Sequence, residues 1–159
     1  MEKNSHKSSP KSIQEHWRNA QTAFEQLKQC PHVSRDKLPK NIEGKGGVYV
    51  FFHQAGNALY VGRGRNVRQR ILQHSRPSIK DGPFAWLLAR DKTKKYADYT
   101  SKNSRKKLEK DPAFRAALNN AKNRIAKMKV AFVVEEDDIT QCLLEVLATV
   151  ELRARHNSF

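Results

Sequence analysis

The chain has 159 residues, with 31 Lys and Arg against 16 Asp and Glu, a formal charge of +15 and an isoelectric point near 10.1. With 38% apolar residues it can build one modest core but not two, and no apolar run approaches the roughly 18 residues of a spanning helix. The charge favours an anionic partner, nucleic acid ahead of an acidic membrane surface. The first 30 residues hold no signal-like apolar stretch. Cys30 and Cys142 suit neither a disulfide framework nor a metal site, and the six histidines show no zinc spacing. Free thiols in a reducing, cytoplasmic setting are therefore expected.

Residues 1–12 are polar and Ser/Lys-rich, which predicts a disordered tail. Ile13, Trp17, Ala20, Phe24 and Leu27 then recur at helical spacing, up to the stop at Cys30–Pro31. A linker follows, with Pro39, Gly44 and Gly46. Val48 to Phe52 and Ala58 to Val61 read as strands joined by a hairpin at Gln54–Asn57. Helices are expected from Asn66 to His74, from Pro83 to Arg90, and from Asp111–Pro112 to about Lys127. Lys129 to Val134 reads as a third strand. Ile139, Cys142, Leu143, Val146, Leu147, Val150 and Ala154 predict the apolar stripe of a last helix, whose N-terminus the acidic run 135–138 suits. Residues 92–129 carry 13 basic and 3 acidic groups, a net +10; residues 130–159 carry a net −4.

Chemistry gathers around the hairpin. Alternation places Tyr49 and Tyr60 on one sheet face, directly opposed if the turn centres near Gln54–Ala55 and diagonal if it centres later. Asn66, Arg70 and His74, four residues apart, share a face of the next helix. A guanidinium can grip a phosphate through two hydrogen bonds. A histidine beside it is biased toward its neutral form.

The order Gly47-Val48-Tyr49, then Tyr60-Val61-Gly62, then the stretch from Arg63 to His74, resembles the GIY-YIG nuclease domain. Leu143-Leu144-Glu145 and His156-Asn157 resemble its later elements, with His156 where the family usually has tyrosine. The resemblance implies an α+β fold, a small antiparallel sheet of about three strands flanked by helices. It would span 47–159, with a basic helical insertion at about 76–128, behind the N-terminal helix and linker of 13–46. It further implies a metal-dependent endonuclease acting on DNA, with Tyr49, Tyr60, Arg70, His74, Glu145 and Asn157 in the active site. Glu145 would hold one Mg²⁺ or Mn²⁺. Periodicity does not select Glu145, since it sits off the apolar stripe, where a carboxylate ordinarily faces solvent. Arg63, Arg65, Arg68, Arg105, Lys106 and Lys107 are the candidate nucleic-acid contacts. The alternative is a non-catalytic nucleic-acid-binding module on the same fold. No membrane partner is expected, and the oligomeric state is open.

Overall fold

The structure is a computed structural model that describes residues 10–77, 82–98, 100 and 104–157. Most of the expected tail, residues 1–9, lies outside the described residues. Ser12 accepts from Glu15 N while Glu15 Oε2 accepts from Ser12 N, and this reciprocal cap starts α1 (Ile13–Gln29). The helix ends at Cys30, whose extended backbone leads into Pro31. Next come β1 (Val33–Ser34), two single 3₁₀ turns, β2 (Gly47–Phe52), β3 (Ala58–Gly64) and α2 (Val67–Gln73). The chain continues through α3 (Pro83–Thr93), α4 (Arg105–Leu108), α5 (Pro112–Ala126), β4 (Lys129–Val134) and α6 (Asp138–Glu151). No helix among the described residues is long and apolar enough to cross a membrane.

The fold is α+β, as expected, but the antiparallel sheet has four strands in the order β1-β4-β2-β3. The additional strand is β1, whose two residues pair Val33 with Val130 and Ser34 with Lys129. Two residues are too few to write a period-two pattern, so the sequence reads there as linker.

Strand β2 lies between β4 and β3, and all six of its residues are buried. Its alternation splits the core. Val48, Val50 and Phe52 pack under α1 and α6, with Ala20, Phe24, Leu144 and Ala148. Tyr49 and Phe51 point the other way, into a layer built by α2, α3 and α5 through Ile71, Phe84, Phe114 and Leu118.

The hairpin turns late. His53 N donates to Asn57 O, Gly56 N donates to His53 O, and Gly56 takes φ +89°. A bulge follows Phe51, so Phe51 faces Tyr60 and Tyr49 faces Gly62. The two tyrosines are therefore diagonal neighbours.

Helix α6 departs from its expected face. Leu144 and Ala148 are buried together with Thr140, Gln141 and Thr149, whereas Ile139, Val146 and Val150 are 54%, 40% and 62% exposed. Hydrogen bonds decide this roll. Thr140 Oγ1 meets His16 Nδ1 at 3.0 Å, Gln141 Nε2 donates to Glu135 O at 2.5 Å, and Thr149 Oγ1 donates to Glu145 O at 2.7 Å. A satisfied polar side chain can be buried at little cost, so apolar pattern alone misplaces the face. Asp137 caps the helix by accepting from Thr140 N at 2.8 Å, the structural role expected of the acidic run.

After α6 the chain returns along the outer edge of β3. Asn157 Oδ1 accepts from Val61 N and Asn157 Nδ2 donates to Val61 O, both at 2.8 Å. The side-chain amide acts as a one-residue strand on this edge, beside the bond that His156 N donates to Leu59 O at 2.9 Å. Asn157→Ala should cost about 1–3 kcal/mol of stability by stranding both groups. The midpoint of urea unfolding measures it, and an unchanged midpoint would show that water serves the edge equally well.

Candidate active site

Tyr49 is fully buried, and its hydroxyl meets His74 Nε2 at 2.5 Å. This placement depends on Gly62. A Cβ at residue 62 would collide with the Tyr49 hydroxyl and ring, so the ring crosses β3 only where no side chain stands. Gly64 performs a similar service, since a Cβ there would lie 3.1 Å from Arg70 Cβ. The sequence displays both glycines, but the need for them is visible only in the register.

Helix α2 is capped by Asn66, whose Oδ1 accepts from Gln69 N at 3.1 Å. Val67 and Ile71 anchor it in the core, and its remaining face carries Arg70 and His74 toward the sheet. Arg70 donates to Gln73 Oε1 at 3.3 Å. Around His74 stand the rings of Tyr49, Phe51, Tyr60 and Phe84, with centroids 5.3–6.3 Å away. Tyr60 stacks on Phe84 of α3 at 4.8 Å.

These surroundings fix the protonation states. Burial, with a smaller contribution from Arg70, pushes the His74 imidazole down to about 3, so it is neutral near pH 7. Burial also pushes the Tyr49 phenol well above its usual 10; Tyr60 and Glu145 add to this, and Arg70 opposes it. Tyr60 is raised by the same cause. Transfer of the Tyr49 proton to His74 is therefore strongly disfavoured, because burial opposes both the phenolate and the imidazolium it would create. His74 therefore fixes the hydroxyl's direction and does not take its proton in the unliganded protein. Its Nδ1 is buried with no partner among the described residues.

The roll of α6 turns Glu145 inward, leaving its side chain 22% exposed. Burial raises its carboxyl, while Arg63 and Arg70 pull it back. Arg63 Nε donates to Glu145 Oε2 at 3.0 Å. Among the described residues Oε1 has no hydrogen-bond partner, and no three His, Cys, Asp or Glu side chains cluster. One desolvated carboxylate suits a hard, water-retaining cation of the magnesium type and not a tetrahedral zinc site.

The fold thus gathers Tyr49, Tyr60, Arg70, His74 and Glu145. It puts Asn157 on the backbone of β3 at Val61, next to Tyr60 in the strand. His156 pairs with Asp91 at 3.1 Å and lies beside Phe84. Of the candidate nucleic-acid contacts, Arg63, Arg65 and Arg68 flank the site, each with a carboxylate: Glu145, Asp138 and Glu43. Arg105, Lys106 and Lys107 lie on α4 beyond α3, exposed.

A small antiparallel α+β domain with a buried phenol–imidazole pair and an arginine on the following helix defines the structural class. A family model described as the GIY-YIG catalytic domain matches residues 45–138, and the chain belongs to the GIY-YIG nuclease family. The match contains Tyr49, Tyr60, Arg70 and His74 and ends ahead of Glu145 and Asn157. UvrABC system protein C of Cereibacter sphaeroides is 37% identical over 49 residues, which is 31% of this chain and 8% of that protein. The chain thus spans less than a tenth of that relative's length. No solved structure matches significantly.

Neutral burial of His74 has a consequence for stability. Its folded value of about 3 lies below the unfolded value near 6.5, so between these limits the unfolded chain binds the extra proton. Stability must fall as pH drops below about 6.5 and go on falling toward 3. From pH 7 to pH 5 the unmodified protein should lose about 2 kcal/mol more than His74→Gln. Equal losses in urea unfolding at the two pH values would show that His74 titrates normally.

Proposed function

We propose that the protein is a metal-dependent endonuclease that hydrolyses phosphodiester bonds in DNA, acting in the cytoplasm. The observation that carries this reading is the buried Tyr49 hydroxyl, held by neutral His74 and bracketed by Arg70, Tyr60 and Glu145. Tyr49 orients the attacking water and draws the water's proton as it passes its own to His74 Nε2. Arg70, bonded to the neutral Gln73 amide and in no ion pair among the described residues, grips the phosphate oxygens as negative charge grows on them. Tyr60 positions the phosphate, with its ring fixed against Phe84. Glu145 would hold Mg²⁺ or Mn²⁺, which when bound supplies charge neutralisation at the phosphate and the leaving oxygen. The support for DNA as substrate is the family and the +15 charge.

A second reading, a binding module without catalysis, draws on the Arg63–Glu145 ion pair, which satisfies the candidate metal ligand within the protein. Nicking of supercoiled plasmid with Mg²⁺, and with chelator as control, separates the two.

Three variants assign the roles. Tyr49→Phe, which deletes one hydroxyl, should lower kcat by about 10²–10⁴. Arg70→Lys should fail nearly as badly as Arg70→Ala, because an ammonium cannot make the two-pronged grip. Near-normal turnover in the lysine variant would take Arg70 out of the reaction centre.

The metal ligand has its own comparison. Glu145→Gln should abolish Mg²⁺-dependent nicking while DNA binding in chelator persists. Glu151→Gln, exposed at the end of α6, should cleave normally. The opposite pattern would move the metal to Glu151.

A further inference from the structure

Beyond the phenols, on the opposite face of α3, lies a cavity of about 310 Å³ that the reading above leaves unused. Phe84 faces the candidate active site; Trp86, Leu87 and Arg90 line the cavity, facing Tyr96 and Arg105. Its size is at the lower end for ligand sites and suits one small planar group.

The lining is aromatic and cationic together. Tyr96 is 54% exposed, and the Arg90 guanidinium lies 5.3 Å from its ring centre. Arg105 lies 4.3 Å from the ring centre of Trp86, which in turn packs against Phe114 at 4.7 Å. No carboxylate holds Arg90 among the described residues, and its Nε is buried without a hydrogen-bond partner. Among the described residues the carboxylate that Arg105 pairs with is Glu109, at 4.0 Å. Lys95 at the rim is paired with Asp111. The Tyr96 ring and the Arg105 guanidinium therefore line one positively charged hollow, each with one face on a cation–π partner and one face left for a further planar group.

We propose that this cavity binds an unpaired nucleobase of a DNA strand, stacked on Tyr96 and Arg105 with Arg90 and Lys95 toward its phosphates. Every base has a π-face, and aromatic rings beside arginines bind bases with little regard to sequence. Paired bases inside a duplex keep their faces stacked on each other, so the cavity favours single-stranded or unwound substrate. The excess positive charge of residues 92–129 disfavours a cationic occupant and favours a phosphate-bearing one. The inference rests on the nucleic-acid part of the proposed function and not on cleavage.

The test is equilibrium binding in EDTA, where no cleavage is needed. The probes are a short fluorescent single strand, the same strand with abasic sugars in place of bases, and a matching duplex. Tyr96→Ala should weaken the base-bearing strand about 5- to 150-fold, the loss of one stacked base, and leave the other two unchanged. Tyr96→Leu, which keeps apolar bulk without a π-face, should behave like the alanine variant, and Tyr96→Phe like the unmodified protein. Arg105→Gln should weaken all three probes and flatten the salt dependence. Equal losses on abasic and base-bearing strands, no loss at all, or no binding of single strand by the unmodified protein would each overturn the proposal. Base-dependent binding without Mg²⁺-dependent nicking would retain the cavity's role and remove the endonuclease reading instead.

Discussion

The Tyr49 ring can cross β3 only because residue 62 has no side chain, and the rest of the site is arranged around that crossing. With the ring in place, the hydroxyl meets His74 Nε2. With His74 held there, α2 is fixed in rotation, and Arg70 stands beside the phenol. Burial keeps the imidazole neutral and the phenol protonated, so the two form a hydrogen bond between uncharged groups. Such a pair can sit in an apolar layer at far lower cost than an ion pair.

What the sequence could convey of this follows from which interactions have a period. The strands β2, β3 and β4 and the helices α1, α2, α3 and α5 were legible from alternation, capping residues and proline positions, because these are local signals. Strand β1 carried none. The phenols and the α2 residues were legible as a motif, but whether Tyr49 opposed Tyr60 depended on the bulge after Phe51, which no local pattern announced. Helix α6 is legible as well, but not its whole buried face, because Thr140, Gln141 and Thr149 find partners and go inside while Ile139, Val146 and Val150 stay out. The inward turn of Glu145 follows from the same cause, and a hydropathy wheel has no means to show it.

That roll gives α1 a part in the site. His16, buried on α1, contacts both Thr140 and Asp137 at the start of α6, each at 3.0 Å. Asp137, lowered to about 2 chiefly by its bond from Thr140 N, remains a capping carboxylate across the physiological range. The first turn of α6 is thus locked against α1, and Glu145 lies two turns further along a helix whose rotation is already set. The matched family segment, residues 45–138, contains neither α1 nor most of α6. The placement of the candidate carboxylate therefore depends on α1, which lies outside the matched segment.

Charge pairing draws a further distinction between the arginines. Arg63, Arg65 and Arg68 each rest on a carboxylate. Exposed pairs of this kind are worth little, and a phosphate can replace the acid at small net cost. Each exchange leaves a carboxylate behind, however, so these three add less attraction for a polyanion than their number suggests. Arg70, held by the amide of Gln73, acts on both Tyr49 and Tyr60 and on the half-buried Glu145. Arg90 lies over Tyr96 on the other face of α3 without a carboxylate, and it is uncommitted in the same sense. Among the described residues neither Arg70 nor Arg90 makes an ion pair, and the two lie on opposite sides of α3, so a phosphate could approach either one without first displacing an acid.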